Sequence, residues 1–181
     1  MTLLACYAAN IVTVSNRSEP GYSHSEAITG NPHVAFVKLV QRLSSGQIEA
    51  GPAAGAEPEF RGDREQLIQA VLNIAHNACQ ALSDRIAAGD AQLVFRTRIA
   101  RQVTFGKQRY RLALELHVID NGPGVPHSIR DRIFFPLVSG REGGSGLGLT
   151  LAQTFVQQHH GLIECDSVSG RTDFKILIPL P

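Results

Sequence analysis

The apolar positions of the chain repeat with a helical period in its middle part. Between residues 63 and 82 they recur every three or four positions and form a broad stripe, which predicts a long amphipathic helix. Asp63 is suited to cap this helix, Gln66 stands at the capping-box position, and the Ala-Ala-Gly at 87–89 is expected to end the helix. The stripe consists of Leu67, Ile68, Val71, Leu72, Ile74, Ala75, Ala78, Cys79 and Leu82.

A period of two replaces the helical period further along the chain. Residues 111–119 alternate clearly and residues 93–100 loosely, which predicts two strands with a hairpin turn at 105–108. This order of elements predicts an α/β fold with a mixed sheet and helices packed on one face. The later predicted elements are a helix over 147–159, a stop at Gly161, and strands over 162–166 and 173–179 joined by a turn at 169–170.

The first part of the chain lacks a persistent period. Residues 1–32 are rich in Ser, Asn, Gly and Pro and are predicted to be an irregular N-terminal extension. A short helical pattern over 34–43 follows, and residues 50–59 are predicted to form a loop of small residues and prolines. We therefore expect one domain over residues 33–181.

Composition and charge narrow the class of protein. Hydrophobic residues make up 43% and charged residues 18% of the 181 positions, which is typical of a soluble globular domain. The net charge of +1 gives no basis for direct binding to nucleic acid. The apolar start over 1–14 is too short to span a membrane, and no other segment is long enough. Widely spaced Cys6, Cys79 and Cys165, without a CxxC pair, fit a reducing, cytoplasmic setting.

The predicted long helix also carries a stripe of amide side chains at spacings of three and four. A solvated surface is the ordinary interpretation of such a stripe, but this one contains no Lys, Glu or Arg. An amide oxygen is a neutral, hard ligand that suits Mg²⁺ held between phosphates. This favours Asn77 as a magnesium ligand and Asn73 as its helper. The stripe consists of Gln66, Gln69, Asn73, Asn77 and Gln80.

A glycine-containing turn follows the second predicted strand, at residues 120–124. Asp120 ends an apolar strand, where its carboxylate can accept a hydrogen bond from the exocyclic amine of adenine. Gly122 and Gly124 allow a sharp turn and the close approach of a flat ring to the backbone. The alternative is an Asx-turn at a strand end, and the residues alone do not decide between the two.

A second glycine cluster, residues 143–149, opens the last predicted helix. Free backbone N–H groups and the positive end of the helix dipole there favour binding of phosphates. The Ser145 hydroxyl can add a donor, and Arg141 can reach a β- or γ-phosphate, although a surface arginine is the ordinary interpretation. The cluster is neither a P-loop nor a Rossmann fingerprint, because it lacks the Lys-Ser/Thr ending and opens no early βαβ unit.

The segment between the two clusters is apolar but lies in a predicted loop. Phe134 and Phe135 belong either to the core or to a lid, over about 125–145, whose aromatic pair docks when nucleotide binds. The seven histidines show no metal-ligand spacing, so a histidine metal site is not expected.

Taken together, these segments resemble the motifs of a known family. The set resembles the catalytic ATP-binding domain of two-component sensor histidine kinases, within the gyrase–Hsp90–kinase–MutL superfamily, from about residue 60 to residue 181. The stretches 62–69 and 135–144 are similar to nitrogen-regulation sensor kinases of the NtrB type. The matching motifs are an N box at 73–78, a first G box at 120–124, an F box at 134–135 and a second G box at 144–148.

The resemblance implies a two-layer α/β sandwich that holds ATP and Mg²⁺ between the long helix and a mobile lid. By position, Asn77 would bind Mg²⁺, and Asp120, with Gly122 and Gly124, would bind adenine. The γ-phosphate would pass to a histidine of a separate dimerisation domain and then to an aspartate of a response regulator. The implied catalytic residues are Asn77 and Arg141, and Gly144 to Gly148 with Arg141 would bind the phosphates. The other implied cofactor-binding residues are Asn73 and Phe134.

Two departures from the family pattern bear on function. No His-Glu-x-x-Asn-Pro type of phosphoacceptor motif is present in this sequence, which leaves open a nucleotide-binding regulatory module without phosphotransfer. ATP hydrolases of the superfamily carry a glutamate four residues before the magnesium-binding asparagine, whereas this chain carries Asn73. That favours a kinase over a hydrolase, and an anti-sigma-type serine kinase is a further alternative.

Overall fold

The computed structural model describes residues 12–17, 23–24, 62–140 and 144–180. In these ranges the chain forms strands and helices in the order that the sequence pattern predicts from residue 63 onward. The elements are β1 (Val12–Arg17), β2 (Ser23–His24), α1 (Arg64–Ala81), α2 (Ser83–Ala88), β3 (Leu93–Phe105), β4 (Gln108–Asp120), a 3-10 helix (Arg130–Arg132), α3 (Gly148–Gln158), β5 (Leu162–Val168) and β6 (Arg171–Leu180).

The six strands form one mixed sheet of order β2-β1-β3-β4-β6-β5. β1 pairs with β3 in parallel, and every other neighbouring pair is antiparallel. The predicted hairpin and the predicted C-terminal strand pair therefore lie side by side, with β4 and β6 at adjacent positions. Among the described residues, none of the helices is both long and apolar enough to span a bilayer.

One face of the sheet packs against α1 and α3. Leu116 of β4 and Phe174 of β6 lie in a single apolar core with Ile74 of α1 and Val156 of α3. Burial of each such side chain contributes about 1.5–3 kcal/mol. The neighbouring strand residues, such as His117, point to the opposite face. The predicted α/β architecture with helices on one face is confirmed.

Helix α1 begins as predicted but ends earlier. The Asp63 carboxylate accepts the backbone N–H groups of Glu65 at 2.9 Å and Gln66 at 3.1 Å, so Asp63 is the N-cap. The helix ends at Ala81 and not at 87–89, because the chain bends at fully buried Leu82 before α2 begins. The predicted stop at 87–89 is the end of α2.

The β3–β4 hairpin is longer than the alternation predicts. The turn is where the pattern indicates, since Phe105 pairs with Gln108 around Gly106. Both strands continue to this turn because Phe105 is buried in a second, smaller cluster with Ala113 and Leu177. Gln102, with a φ of 52°, interrupts the regular backbone on the way to the tip.

The N-terminal region differs from its predicted irregularity where it is described. β1 adds to the sheet along β3, from the pair Val12–Leu93 to the pair Asn16–Thr97. The β-branched run at the start of β1 favours a strand, but it is too short to give a periodic signal. The domain boundary at residue 32 stays a prediction, and the predicted helix over 34–43 lies outside the described residues.

The C-terminal part follows the prediction closely. α3 covers Gly148–Gln158 and the last two strands are joined by a turn in which Gly170 has a φ of 83°. Gly161 must be a glycine, because a Cβ there would lie 2.5 Å from the Leu177 carbonyl oxygen. This close approach lets the chain leave α3 directly against β6.

The face of the sheet away from the helices carries a charged cluster around His117. Nδ1 of its ring lies 2.8 Å from a carboxylate oxygen of Asp173, and Nε2 lies 2.6 Å from one of Glu115. The hydrogen bond with Asp173, supported by Glu115, raises the pKa of His117, although burial opposes this. Burial alone would raise the pKa of Glu115, but hydrogen bonds from Arg98 and His117 outweigh it and lower that pKa.

We expect His117→Gln to reduce stability in a pH-dependent way. The pKa of His117 in the folded protein is raised above its ordinary value of 6.5. Its contribution to the free energy of unfolding is therefore complete below pH 6.5 and is lost as the pH rises through the pKa of the folded protein. Near pH 6 the loss should be about 1.5–3 kcal/mol, the range for hydrogen bonds to charged groups. Urea unfolding of the wild type and His117→Gln from pH 5.5 to 9 measures this loss, and His127→Gln is the control because its side chain is exposed. A difference that is constant over this range would contradict the assignment.

Candidate functional site

Asp120 lies at the end of β4, between two strands. It is only 3% exposed and pairs with Leu93 on one side and Thr172 on the other. Its Oδ1 accepts the backbone N–H of Gly122 at 2.9 Å, which is the Asx-turn that the sequence left as an alternative. A carboxylate has about four lone-pair directions, so this turn and a ligand amine are compatible.

The glycines of the first segment are required by close contacts. A Cβ on Gly122 would lie 2.7 Å from Asp120 Oδ1 and 3.3 Å from Ala81 Cβ, at the end of α1. Gly124 has a φ of 87°, and a Cβ there would lie 2.7 Å from the carbonyl oxygen of Val168. The segment therefore runs in direct contact with both α1 and β5.

Polar side chains that the sequence reasoning missed hold this segment in place. Asn121 accepts the N–H of Gln92 at 2.8 Å and donates to the carbonyl of Asp90 at 2.9 Å. The Ser167 hydroxyl accepts the N–H of Val125 at 2.8 Å and lies 3.3 Å from the Thr172 hydroxyl. A signal was available, because Ser167 and Thr172 interrupt the apolar inward-facing positions of β5 and β6.

The amide stripe of α1 is partly internal. Gln69 donates from Nε2 to Asn73 Oδ1 at 3.2 Å, so the carbonyl oxygen of Asn73 already has a partner. Its Nδ2 is buried and has no hydrogen-bond partner among the described residues. An orphaned buried donor costs free energy unless a ligand accepts from it. Asn77 is half-buried one turn further along the same face.

The second glycine segment joins the N-terminus of α3 to the apolar loop. Leu147 is the N-cap of α3, and its side chain makes no capping hydrogen bond. Ser145 is exposed, and its hydroxyl accepts the Leu147 N–H at a long 3.4 Å. A helix N-terminus without a side-chain cap from the described residues is suited to bind an anion. Gly144 is exposed beside them, whereas Arg141 lies outside the described residues.

Gly146 closes the loop against the helix. Its carbonyl oxygen accepts the N–H of Leu137 at 3.1 Å, and its φ is 65°. A Cβ there would lie 2.6 Å from the Leu137 backbone carbon. Leu137 is itself 78% exposed and has a φ of 63°, an uncommon conformation for leucine. The lid segment is therefore held in a specific, strained arrangement at the start of α3.

The two phenylalanines of the lid segment differ in environment. Phe134 packs edge-on against Phe174 in the core, with ring centroids 6.3 Å apart, and its carbonyl accepts the Thr150 hydroxyl at 3.0 Å. Phe135 is 58% exposed. Phe134 is therefore part of the core in this structure, which is one of the two interpretations of the sequence, while Phe135 faces solvent.

The predicted residues converge along one face of α1. Asn73, Asn77 and Ala81 are four residues apart and share a face that is about 12 Å long. Gly148 approaches Asn73, since a Cβ there would lie 3.9 Å from Asn73 Cβ, and Gly122 contacts Ala81. The two glycine segments therefore lie at opposite ends of this face, and Asn77 lies between them.

The comparisons with known proteins identify the family of the chain. Residues 62–181 match the family of histidine kinase-, DNA gyrase B- and HSP90-like ATPases. The chain belongs to this family. The resemblance indicated by its four motifs is therefore confirmed, and residues 62–181 are an HATPase domain.

Sequence relatives of this HATPase domain are sensory histidine kinase/phosphatases. The chain is 46% identical over 123 residues to NtrB of Escherichia coli O157:H7, which covers 68% of this chain and 34% of that protein. It is 40% identical over 124 residues to NtrB of Rhizobium leguminosarum bv. phaseoli, covering 67% and 32%. The chain thus spans about a third of the length of these relatives.

Solved structures show the same fold. The mycobacterial sensor histidine kinase MprB aligns with a TM-score of 0.53 at 24% identity, covering 81% of this chain and 92% of that one. A nucleotide-free catalytic domain of histidine kinase ThkA aligns with a TM-score of 0.54 at 18% identity, covering 81% and 91%.

We expect Asp120→Asn to weaken nucleotide binding. The change replaces one acceptor oxygen with an N–H₂ group, and the loss of a hydrogen bond to a charged group costs about 1.5–3 kcal/mol, or roughly 10- to 100-fold in affinity. Isothermal titration with ATP measures it. Asp166→Asn is the control, because that carboxylate is exposed on β5. Equal affinity of the wild type and Asp120→Asn would refute the role of Asp120.

We expect Gly146→Ala to disturb the lid more than Gly106→Ala disturbs the hairpin. The φ values are 65° and 64°, so the backbone strain is matched, but a Cβ meets the Leu137 backbone only at Gly146. Gly106→Ala should lower stability by about 1 kcal/mol and leave ATP affinity unchanged. Gly146→Ala should also reduce ATP affinity. Thermal unfolding and titration test this, and equal ATP affinity of the two variants would contradict it.

Proposed function

We propose that this chain binds ATP with Mg²⁺ along α1 and acts as the catalytic module of a sensor histidine kinase. The observation that carries the proposal is the face of α1 that has Gly148 at one end, Gly122 at the other and Asn77 between them. Its length of about 12 Å suits an extended nucleotide. Adenine would lie at the Gly122 end and the triphosphate at the Gly148 end.

The residues at the two ends suit these two parts of ATP. Asp120 supplies a buried carboxylate that accepts from the adenine amine. The uncapped α3 terminus and the orphaned Nδ2 of Asn73 supply donors for phosphate oxygens. Gly144, Ser145 and Arg141 would add to this donor set, and Phe134 would hold the lid to the core.

The donor set also fits Mg²⁺ between Asn77 and the phosphates. In the described ranges, no cluster of three or more His, Cys, Asp or Glu side chains is suited to a metal ion. An amide oxygen, phosphate oxygens and water together satisfy the octahedral, all-oxygen preference of this cation. When bound, the ion neutralises charge on the transferred phosphoryl group.

The chemistry of Asn73 favours transfer over hydrolysis. Its oxygen is engaged by Gln69 and its other group is an N–H₂, so it cannot accept a proton from an attacking water. A histidine acceptor needs no such base, because neutral imidazole is already a nucleophile. The bond from the γ-phosphorus to the bridging oxygen of ADP breaks as a phosphorus–nitrogen bond forms. Catalysis then depends on positioning and charge neutralisation.

The partners follow from the named relatives. A dimerisation domain, in this chain's own protein or in another, would supply the histidine, and a response regulator would receive the phosphoryl group. Nitrogen regulation is proposed because the relatives at 40–46% identity are NtrB proteins. A cytoplasmic location, with access to ATP and reduced thiols, belongs to the same proposal.

We expect the chain to transfer label from γ-³²P-ATP to a separately purified NtrB-type dimerisation domain when Mg²⁺ is present. The label should be acid-labile, as expected for phosphohistidine. Asn77→Ala should reduce labelling by at least about tenfold, because it removes the proposed magnesium ligand. Gln80→Ala, an amide on the same stripe, should stay within about twofold.

The other outcomes of this experiment decide between functions. Nucleotide binding without label would support the regulatory module and reject the kinase. Acid-stable label would support a serine kinase of the anti-sigma type. Equal labelling by Asn77→Ala and the wild type would assign the magnesium ligand to another residue.

A further inference from the structure

His159 bridges the two helices that carry the candidate site. It lies at the C-terminal end of α3, and its Nε2 accepts the backbone N–H of Asp63, the N-cap of α1, at 2.8 Å. Its Nδ1 lies 2.7 Å from the carbonyl oxygen of Phe155, one turn earlier in α3. The ring is thus fixed to its own helix and holds the start of α1.

The two contacts determine the state of the ring. A backbone N–H can only donate and a carbonyl oxygen can only accept, so Nε2 carries the lone pair and Nδ1 carries the proton. The bridge therefore requires a neutral imidazole of one tautomer. It also takes the position that Gln66 would occupy in a capping box, which corrects that sequence-based expectation.

A second contact joins the same two helices at their other end. Gly148, the first residue of α3, faces Asn73, with 3.9 Å from an added Cβ to Asn73 Cβ. The segments 63–73 and 148–159 run in opposite directions, and each is about 15–17 Å long. These two end contacts act together with the apolar packing between the helices to set how far α3 is shifted along α1.

We propose that His159 is a positioning residue that fixes the register of α3 against α1. The inference rests on the proposed function, because the register decides whether the N-terminus of α3 faces Asn73. His159 lies at the far end of α3 from this site and acts only through the helix. A helix is stiff along its axis, so a shift at His159 moves the phosphate-binding end by a similar distance.

The test compares His159→Asn with the neighbouring control His160→Asn in the full chain. Asn is too short to contact both Phe155 and Asp63, whereas His160 is exposed and its φ of 56° suits asparagine. For His159→Asn we expect Mg²⁺-ATP affinity to fall about tenfold while adenosine affinity changes less than twofold. Adenosine has no phosphates, so it reports on the Asp120 end alone. His160→Asn should match the wild type for both ligands.

A purely structural role predicts a different result. In that case His159→Asn would lower the melting temperature. It would also weaken the binding of ATP and adenosine equally, or leave both affinities unchanged, and either outcome would overturn the proposal. Nitrogen-15 NMR of the wild-type histidine rings is a second, independent measurement. A protonated Nε2 would also overturn it. If the wild type binds neither ATP nor adenosine, the proposed function fails. If the wild type binds both and His159→Asn binds them with the same affinities, only the positioning role of His159 fails.

Discussion

The burial of one face of α1 is the constraint on which the rest of this domain depends. Ala70, Ile74 and Ala78 are fully buried against the sheet and α3, which leaves α1 no freedom to rotate about its axis. Because side chains leave a helix at fixed angles, the same packing aims Asn73 and Asn77 in a fixed direction. The apolar stripe thus orients the amide stripe, and stability and the site share one structural cause.

The glycines of the site act through close approach more than through flexibility. Gly122 and Gly148 bring backbone against α1, and Gly146 brings the lid backbone against α3. A side chain at Gly146 would force two backbone segments apart, and one at Gly122 would displace the Asp120 carboxylate. Packed interiors do not absorb such shifts cheaply. The site is therefore a set of backbone N–H groups held near one helix, a design suited to anionic ligands.

The proposed choice between phosphoryl transfer and hydrolysis depends on the charge of one side chain. Where a hydrolase requires a carboxylate to activate water, this chain has an amide whose oxygen is already engaged by Gln69. The neutral side chain also carries a buried donor, Nδ2. Under the proposed function, this donor favours a phosphate oxygen, and an amide cannot deprotonate water.

The sequence alone determined the fold class, the N-cap at Asp63, the β3–β4 turn and the order of the motifs, because these depend on local periodicity and turn chemistry. It did not indicate the bend at Leu82, the strand pairing of β1 or the His159 bridge. Those depend on residues far apart in the chain: Asp63 and His159 meet only because α1 and α3 pack antiparallel. Local patterns specify elements, whereas contacts between elements are decided by how their buried faces fit together, which only the tertiary structure reveals.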